Sequence, residues 1–156
     1  MQRQDYILRM IGELQQFVRG AIGTGGPSGA KEALHAVMHA QQQLFQRPVA
    51  EVIALALTEQ IELLGQGYTP EVAAEKVATY AAILEEGALV YDAMERTDLA
   101  FSSRQLALSA LLTAAIRWPE ATALLDPDID KILAELMPGD LNPVVQEMLR
   151  EWDAPE

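Results

Sequence analysis

Apolar residues recur at steps of three and four along most of the chain, which is typical of amphipathic helices and not of strands. The pattern is longest over residues 70–118, where two helical segments flank a polar joint at residues 95–98. Thr69 and Pro70 form a helix start, because threonine caps free backbone amides and proline fits the first helical turn. We therefore predict a central helical hairpin against which the remaining helices pack.

The second segment of this hairpin is the most apolar stretch of the chain. Residues 106–118 read LALSALLTAAIRW, and Pro119 ends the helical pattern. A helix that is apolar on nearly all sides is normally enclosed by other helices. The stretch is shorter than the roughly 18 apolar residues of a membrane-spanning helix, so we expect no insertion into a membrane.

Four polar residues, spaced four apart, form a narrow line along this apolar segment. We call them the polar line: Gln105, Ser109, Thr113 and Arg117. The polar line would border a groove that accepts a peptide or a partner helix, with Tyr80 and Tyr91 of the first segment as aromatic neighbours. The alternative is that it faces solvent or satisfies buried polar atoms.

Residues 84–115 read LEEGALVYDAMERTDLAFSSRQLALSALLTAA and resemble a tetratricopeptide repeat. In that repeat a small residue precedes an aromatic residue on the first helix, and alanines line the second helix. The residues near the matching positions are Gly87, Tyr91, Ala100 and Ala107. Ile83 stands where the repeat has its early tryptophan, and one unit is present, whereas arrays need at least three. The resemblance implies tetratricopeptide-like antiparallel helix pairs, not a repeat array.

The whole chain also resembles a bacterial family of all-helical proteins that is defined by a domain of unknown function. Two segments carry this resemblance: QDYILRMIGEL at residues 4–14 and DPDIDKILAEL at residues 126–136. The resemblance implies a bacterial, all-helical protein. It brings no activity and no site residues with it.

The length of 156 residues and a hydrophobic content of 50% predict one all-α domain, a helical bundle over residues 1–156. We expect residues 153–156 to form a flexible tail, and the glycine-rich residues 23–29 to form a flexible turn. Residues 1–23 form a strongly amphipathic helix whose apolar stripe docks on the hairpin. Leu8 falls outside that stripe, so a homodimer through this helix is an open alternative.

Acidic residues outnumber basic ones and give the chain a formal net charge of −12. A surface this acidic repels phosphate groups, so we expect neither nucleic acid nor a membrane surface as a partner. The chain has no cysteine, which removes thiolate chemistry and fits a cytoplasmic location. Asp5 and Glu13 interrupt the first apolar segment, so we expect no signal peptide.

One residue set has the spacing of a metal site. Glu32, His35 and His39 follow one another at helical steps and would place a carboxylate and two imidazoles around a divalent ion. The alternative is that both histidines are ordinary surface residues. The carboxylates of Glu85 and Glu86 are predicted to lie on a solvent-facing side of their helix.

The sequence contains no signature of a catalytic triad, because no serine, threonine or cysteine nucleophile is paired with a base held by a third group. We therefore expect a non-enzymatic interaction or scaffold protein with a protein or peptide partner and no cofactor. The alternative function is a metal-binding protein or metal-dependent enzyme that uses Glu32, His35 and His39.

Overall fold

The computed structural model describes residues 2–136 and 141–153, with side chains from residue 9 onward. Within these ranges the chain forms eight α-helices and a 3-10 turn at Pro119–Ala121, and it contains no strand. The helices are α1 Gln2–Thr24, α2 Gly26–Phe45, α3 Val49–Ile53, α4 Leu57–Gly65, α5 Pro70–Ala93, α6 Thr97–Arg117, α7 Thr122–Glu135 and α8 Pro143–Trp152. The prediction of an all-α domain is confirmed. The side chain of Leu8 and residues 154–156 of the predicted tail lie outside the described part.

The starts of α5 and α8 follow from their capping residues. Thr69 Oγ1 accepts a hydrogen bond from the backbone N–H of Val72 at 3.3 Å, and Pro70 occupies the first turn. Asn142 caps α8 in the same way, with Oδ1 accepting from the N–H of Val144 at 2.9 Å. Local sequence is therefore sufficient to begin both helices.

The helices α5 and α6 form an antiparallel hairpin at the centre of the molecule. Their short connection closes at Glu95, whose backbone is left-handed with φ of 59°. Ser103 Oγ of α6 donates a hydrogen bond to the carbonyl oxygen of Leu84 in α5 at 2.6 Å. Five helices contact α5, namely α1, α2, α4, α6 and α7. This helix is therefore buried on several sides, whereas a single apolar stripe would bury one side.

The apolar stretch in α6 is largely buried. From Ala107 to Ala115 every residue except Thr113 is buried, while Leu106 and Ile116 at its two ends are each 36% exposed. By length and composition α6 would qualify as a membrane-spanning helix, although half of the qualifying segment is buried inside the protein. The core helix of a globular protein satisfies the same criterion.

The corner between α1 and α2 is tighter than the glycine-rich sequence predicts. A single residue, Gly25, separates the two helices. Gly29 lies so close to the backbone of Ala21 that a Cβ atom at position 29 would overlap the Ala21 carbonyl group. The expectation of a flexible turn over residues 23–29 is therefore wrong, because the glycines let two helices approach closely at their junction.

The contact between α4 and the end of α6 also depends on a missing side chain. A Cβ atom on Gly65 would overlap the indole ring of Trp118, which is 6% exposed. We expect Gly65→Ala to lower the free energy of unfolding by about 1–3 kcal/mol, since overpacking forces the ring to move. Urea unfolding followed by circular dichroism measures this change.

The matched control is Gly20→Ala in α1, where no atom lies within 4 Å of the added Cβ. This substitution is expected to raise the free energy of unfolding by about 0.5–1 kcal/mol, because alanine restricts the unfolded chain and favours a helix. Equal effects of the two substitutions would contradict the packing assigned to Gly65.

Candidate functional site

Two hydroxyl groups of the polar line form hydrogen bonds within α6 itself. Ser109 Oγ donates to the carbonyl oxygen of Gln105 at 2.8 Å, and Thr113 Oγ1 donates to the carbonyl oxygen of Ser109 at 2.7 Å. Such bonds to the preceding turn satisfy a hydroxyl that faces an apolar neighbour. These residues therefore present a surface of low polarity despite their residue types.

The helix α8 lies along this part of the polar line. The backbone N–H of Asn142 donates to Gln105 Oε1 at 2.5 Å, and the sulfur of Met148 lies 3.6 Å from Thr113 Oγ1. Val145, between these two contacts, is buried. The face of α6 predicted to border a groove thus holds a helix, and that helix belongs to the same chain.

Arg117, the last residue of the polar line, faces a different neighbour. Its Nε donates to Glu62 Oε1 of α4 at 2.5 Å, and its guanidinium lies 5.4 Å from the ring centre of Trp118. Both members of the Arg117–Glu62 pair are about half exposed. The structure therefore separates Arg117 from the three residues beneath α8.

Tyr80 belongs to the core. Its hydroxyl donates to Gln60 Oε1 at 2.8 Å, its ring packs edge-on against Phe45 with centres 4.9 Å apart, and the residue is 1% exposed. Burial raises the pKa of Tyr80 to about 12. Tyr80 is thus no wall of the predicted groove, whereas Tyr91 is half-buried in the last turn of α5.

The residues predicted as metal ligands all lie exposed on α2. Glu32, His35 and His39 do not converge, and across residues 2–136 and 141–153 no group of three or more histidine, aspartate or glutamate side chains is arranged to hold a metal ion. Spacing along a helix placed them on one face. A metal site also requires the three side chains to converge on one point, and helical spacing alone does not provide this.

A second site, which the sequence did not indicate, is a cleft of about 420 Å³ between α1, α5 and α7. We call it the charged cleft, because charged side chains from four helices line it. Its carboxylates are Glu85, Glu86, Asp128 and Glu135, and its cations are Arg19, Arg104 and Lys131. The intervening wall is apolar and consists mainly of alanine side chains from α5.

Glu86 is the most unusual residue of the charged cleft. Its side chain is 5% exposed, and its Oε1 atom is buried without a hydrogen-bond partner. The nearest cation, Arg19 Nη1, is 3.8 Å away on a side chain that is 60% exposed, and that distance is too long for a hydrogen bond. Burial raises the pKa of Glu86, since the charged form loses its hydration.

The carboxyl group of Glu85 lies near that of Glu135 on α7. Burial raises the pKa of Glu85 to about 7, and a hydrogen bond to Glu135 favours the protonated form further. Two carboxyl groups form such a bond only when one of them carries a proton. The cation nearest to Glu85 is Lys131, whose Nζ lies 3.8 Å away and whose side chain is 67% exposed.

Arg104 fixes the far end of the charged cleft. Its Nη2 donates to Asp92 Oδ2 at 2.6 Å, and its Nε donates to Glu135 Oε2 at 3.2 Å. The side chain of Arg104 is 17% exposed. Because both bonds tie this guanidinium to carboxylates, Arg104 positions Glu135 and is not free to bind another anion.

The prediction that Glu86 lies on a solvent-facing side of α5 is wrong. Ile83 and Val90, three residues before it and four residues after it, are both completely buried. All three residues therefore lie on one row of the helix, which α1 and its neighbours cover. The spacing of Glu86 from these two apolar residues was the signal in the sequence that could have revealed its burial.

Comparison of the chain with protein-family models, with curated proteins and with solved structures returns no match. The geometry of the chain itself therefore carries its functional assignment. That geometry offers two candidate sites: the face of α6 beneath α8, and the charged cleft.

The raised pKa of Glu85 predicts how stability depends on pH. Because its folded-state pKa of about 7 lies above the ordinary value of 4.5, Glu85 contributes stability below pH 4.5 that is lost as the pH rises through 7. We expect Glu85→Gln to reduce this loss, which is on the order of 3 kcal/mol across the two pKa values. Urea unfolding at a series of pH values measures the free energy of unfolding and its dependence on pH.

The control is Glu32→Gln at an exposed carboxyl group. If the free energy of unfolding depended on pH equally in the two variants, the raised pKa assigned to Glu85 would be contradicted.

Proposed function

We propose that the protein is a non-enzymatic interaction protein of the bacterial cytoplasm, and that it binds an amphipathic helix of a partner protein along α6. The observation that carries this proposal is the position of α8 on the polar line. A surface that already holds one short helix has the shape and polarity to hold another. No cofactor takes part.

The side of α8 that faces the molecule has the pattern of a helix bound in a groove. Its apolar residues recur at the first, fourth, fifth and eighth positions of one stripe: Val145, Met148, Leu149 and Trp152. Val145 is buried and the other three are half-buried. Trp152 also donates its Nε1–H to Asp126 Oδ1 of α7 at 3.1 Å. A partner helix would present the same apolar spacing and an indole or similar donor near Asp126.

The attachment of α8 is weak enough for exchange. The helix is ten residues long, and helices of that length are unstable in isolation. Val145 is its one fully buried residue, and burying a large side chain completely contributes only about 1.5–3 kcal/mol. Undocking of α8 is therefore a local opening of low free energy compared with unfolding of the core.

The α5–α6 hairpin supports a tetratricopeptide-like arrangement as part of this proposal. A Cβ atom on Gly87 would lie 3.5 Å from Val37 of α2 and 3.6 Å from Ser103 of α6, so a small residue stands where three helices meet. Tetratricopeptide-like helix pairs commonly serve protein–protein interaction, but fold alone does not specify a partner.

Exchange of α8 is tested with a labelled peptide that spans residues 141–153. We expect the full-length Val145→Asp variant to bind this peptide at least about tenfold more tightly than the wild type, because an aspartate at the buried position releases the chain's own α8. Fluorescence anisotropy measures the affinity, and circular dichroism shows that the core remains folded.

The matched control is Val144→Asp, since Val144 is adjacent in sequence but 66% exposed. Its affinity for the peptide should equal that of the wild type. A folded Val145→Asp variant that fails to bind the peptide would rule out a helix-binding groove on α6.

A second copy of the chain is the alternative partner, through α1. Phe17 is 48% exposed on this helix, beside exposed Gln16 and Gly20. We expect sedimentation equilibrium to show a dimer whose dissociation constant rises about tenfold in Phe17→Ser, because a contact between apolar side chains is lost. The control is Gln16→Ser. A monomer at all concentrations would exclude the dimer and leave the helix-binding proposal intact.

A further inference from the structure

The charged cleft between α1, α5 and α7 is distinct from the face of α6 that holds α8. We propose that it binds a primary alkylammonium group, carried by a free aliphatic amine or by a lysine side chain, with the carboxylates of Glu85, Glu86 and Glu135 as acceptors. This inference is independent of the helix-binding role and stands on the geometry of α1, α5 and α7.

The buried oxygen of Glu86 requires a donor. Among the described residues, Oε1 of Glu86 is the one buried side-chain nitrogen or oxygen atom that lacks a hydrogen-bond partner. Glu86 also lines the charged cleft. A buried carboxyl oxygen without a donor is unfavourable, and natural proteins rarely keep one without a role. A ligand that donates a hydrogen bond here would supply the partner that Oε1 lacks.

The other acceptors favour a positively charged donor. Glu85 lies beside Glu135, and Glu135 accepts a hydrogen bond from Arg104 Nε at 3.2 Å. A cation placed beside these carboxyl groups would lower the raised pKa of Glu85 and so favour its ionised form. Binding would thus release one proton to solvent, and the charge within the cleft would stay balanced.

The cations already present do not fill this role. Lys131 and Arg19 each lie 3.8 Å from their carboxylates and extend into solvent, with side-chain exposures of 67% and 60%. Arg104 is bonded to Asp92 and Glu135. The four carboxyl groups of the charged cleft thus outnumber its three cations, and Arg104 is the cation that is held by hydrogen bonds. The cleft can therefore accommodate a further positive charge.

The shape of the cleft favours an ammonium on an alkyl chain. An ammonium is a compact charge whose three N–H donors can point to acceptors on different side chains, whereas a guanidinium is a larger, planar group. Ala78, Ala81 and Ala82 line the wall and would contact methylene groups. The volume of about 420 Å³ lies within the range of small-ligand sites.

A bare divalent cation fits less well. Among the side chains of the described residues, no three acidic or histidine groups converge at metal-binding geometry, and the cleft retains an apolar wall that a metal would not use. An organic cation makes use of both the carboxylates and the alanines.

The test is isothermal titration calorimetry of the full chain at about pH 6, which lies below the pKa of about 7 of Glu85, so that this carboxyl group is largely protonated before binding. The ammonium probes are 1,4-diaminobutane and a lysine residue blocked at both ends. The comparison probes are an arginine residue blocked in the same way and magnesium chloride. We expect at least about tenfold tighter binding of one or both ammonium probes than of either comparison probe.

Proton release supplies a second readout. The apparent binding enthalpy should differ between two buffers of unlike ionisation enthalpy by an amount that corresponds to about one proton released. Preference for 1,4-diaminobutane would identify a free amine as the source of the ammonium, and preference for blocked lysine would identify a protein segment. Absence of ammonium binding, or equal affinity for the arginine probe, would overturn the inference.

Variants locate the site. Glu86→Gln should weaken ammonium binding at least about tenfold, while Glu71→Gln, at an exposed position on the same helix, should leave it unchanged. Ala82→Leu fills the cleft without changing any charge, and it should also weaken ammonium binding at least about tenfold. It serves as the second variant if Glu86→Gln does not fold. Full affinity in both cleft variants would place the ammonium elsewhere and refute the site.

Discussion

The enclosure of α5 is the constraint on which the rest of the structure depends. Five helices pack around it, and small residues such as Ala73, Ala81 and Ala88 allow their close approach. A helix surrounded in this way has little solvent-facing surface for its charged residues. Glu86 is therefore buried although its residue type favours water, and Glu85 beside it is only partly accessible. The charged cleft is a direct consequence of this packing.

The two candidate sites lie on different sides of the hairpin and share α7. Near its start, Asp126 accepts the indole N–H of Trp152 and so helps to hold α8 on α6. Further along, Asp128, Lys131 and Glu135 line the charged cleft. The position of α7 against α5 and α6 thus sets the geometry of both sites. Its own residues divide between an apolar side that enters the core and a charged side that faces the cleft.

The ionised forms of Glu85, Glu86 and Asp128 oppose stability, because all three carboxyl groups are wholly or partly buried. Burial raises the pKa values of Glu85, Glu86 and Asp128, so each is harder to ionise than an exposed carboxyl group. An apolar residue at position 86 would remove an unsatisfied buried atom and would be expected to stabilise the fold. Retention of unfavourable polar groups in a cleft is typical of binding sites, where a ligand supplies the missing partner.

The sequence by itself determined the all-α fold and the beginnings of particular helices, because periodicity and capping act within a few residues of Thr69-Pro70 and Asn142-Pro143. Only the tertiary structure decided which helix faces are covered. In the folded chain Tyr80 lies in the core, Glu86 is buried, and α8 packs on the polar line. The glycine-rich corner between α1 and α2 forms a close contact of two helices. The physical reason is that burial depends on neighbours distant along the chain. A periodic pattern shows which residues share a face, and packing determines what lies against it.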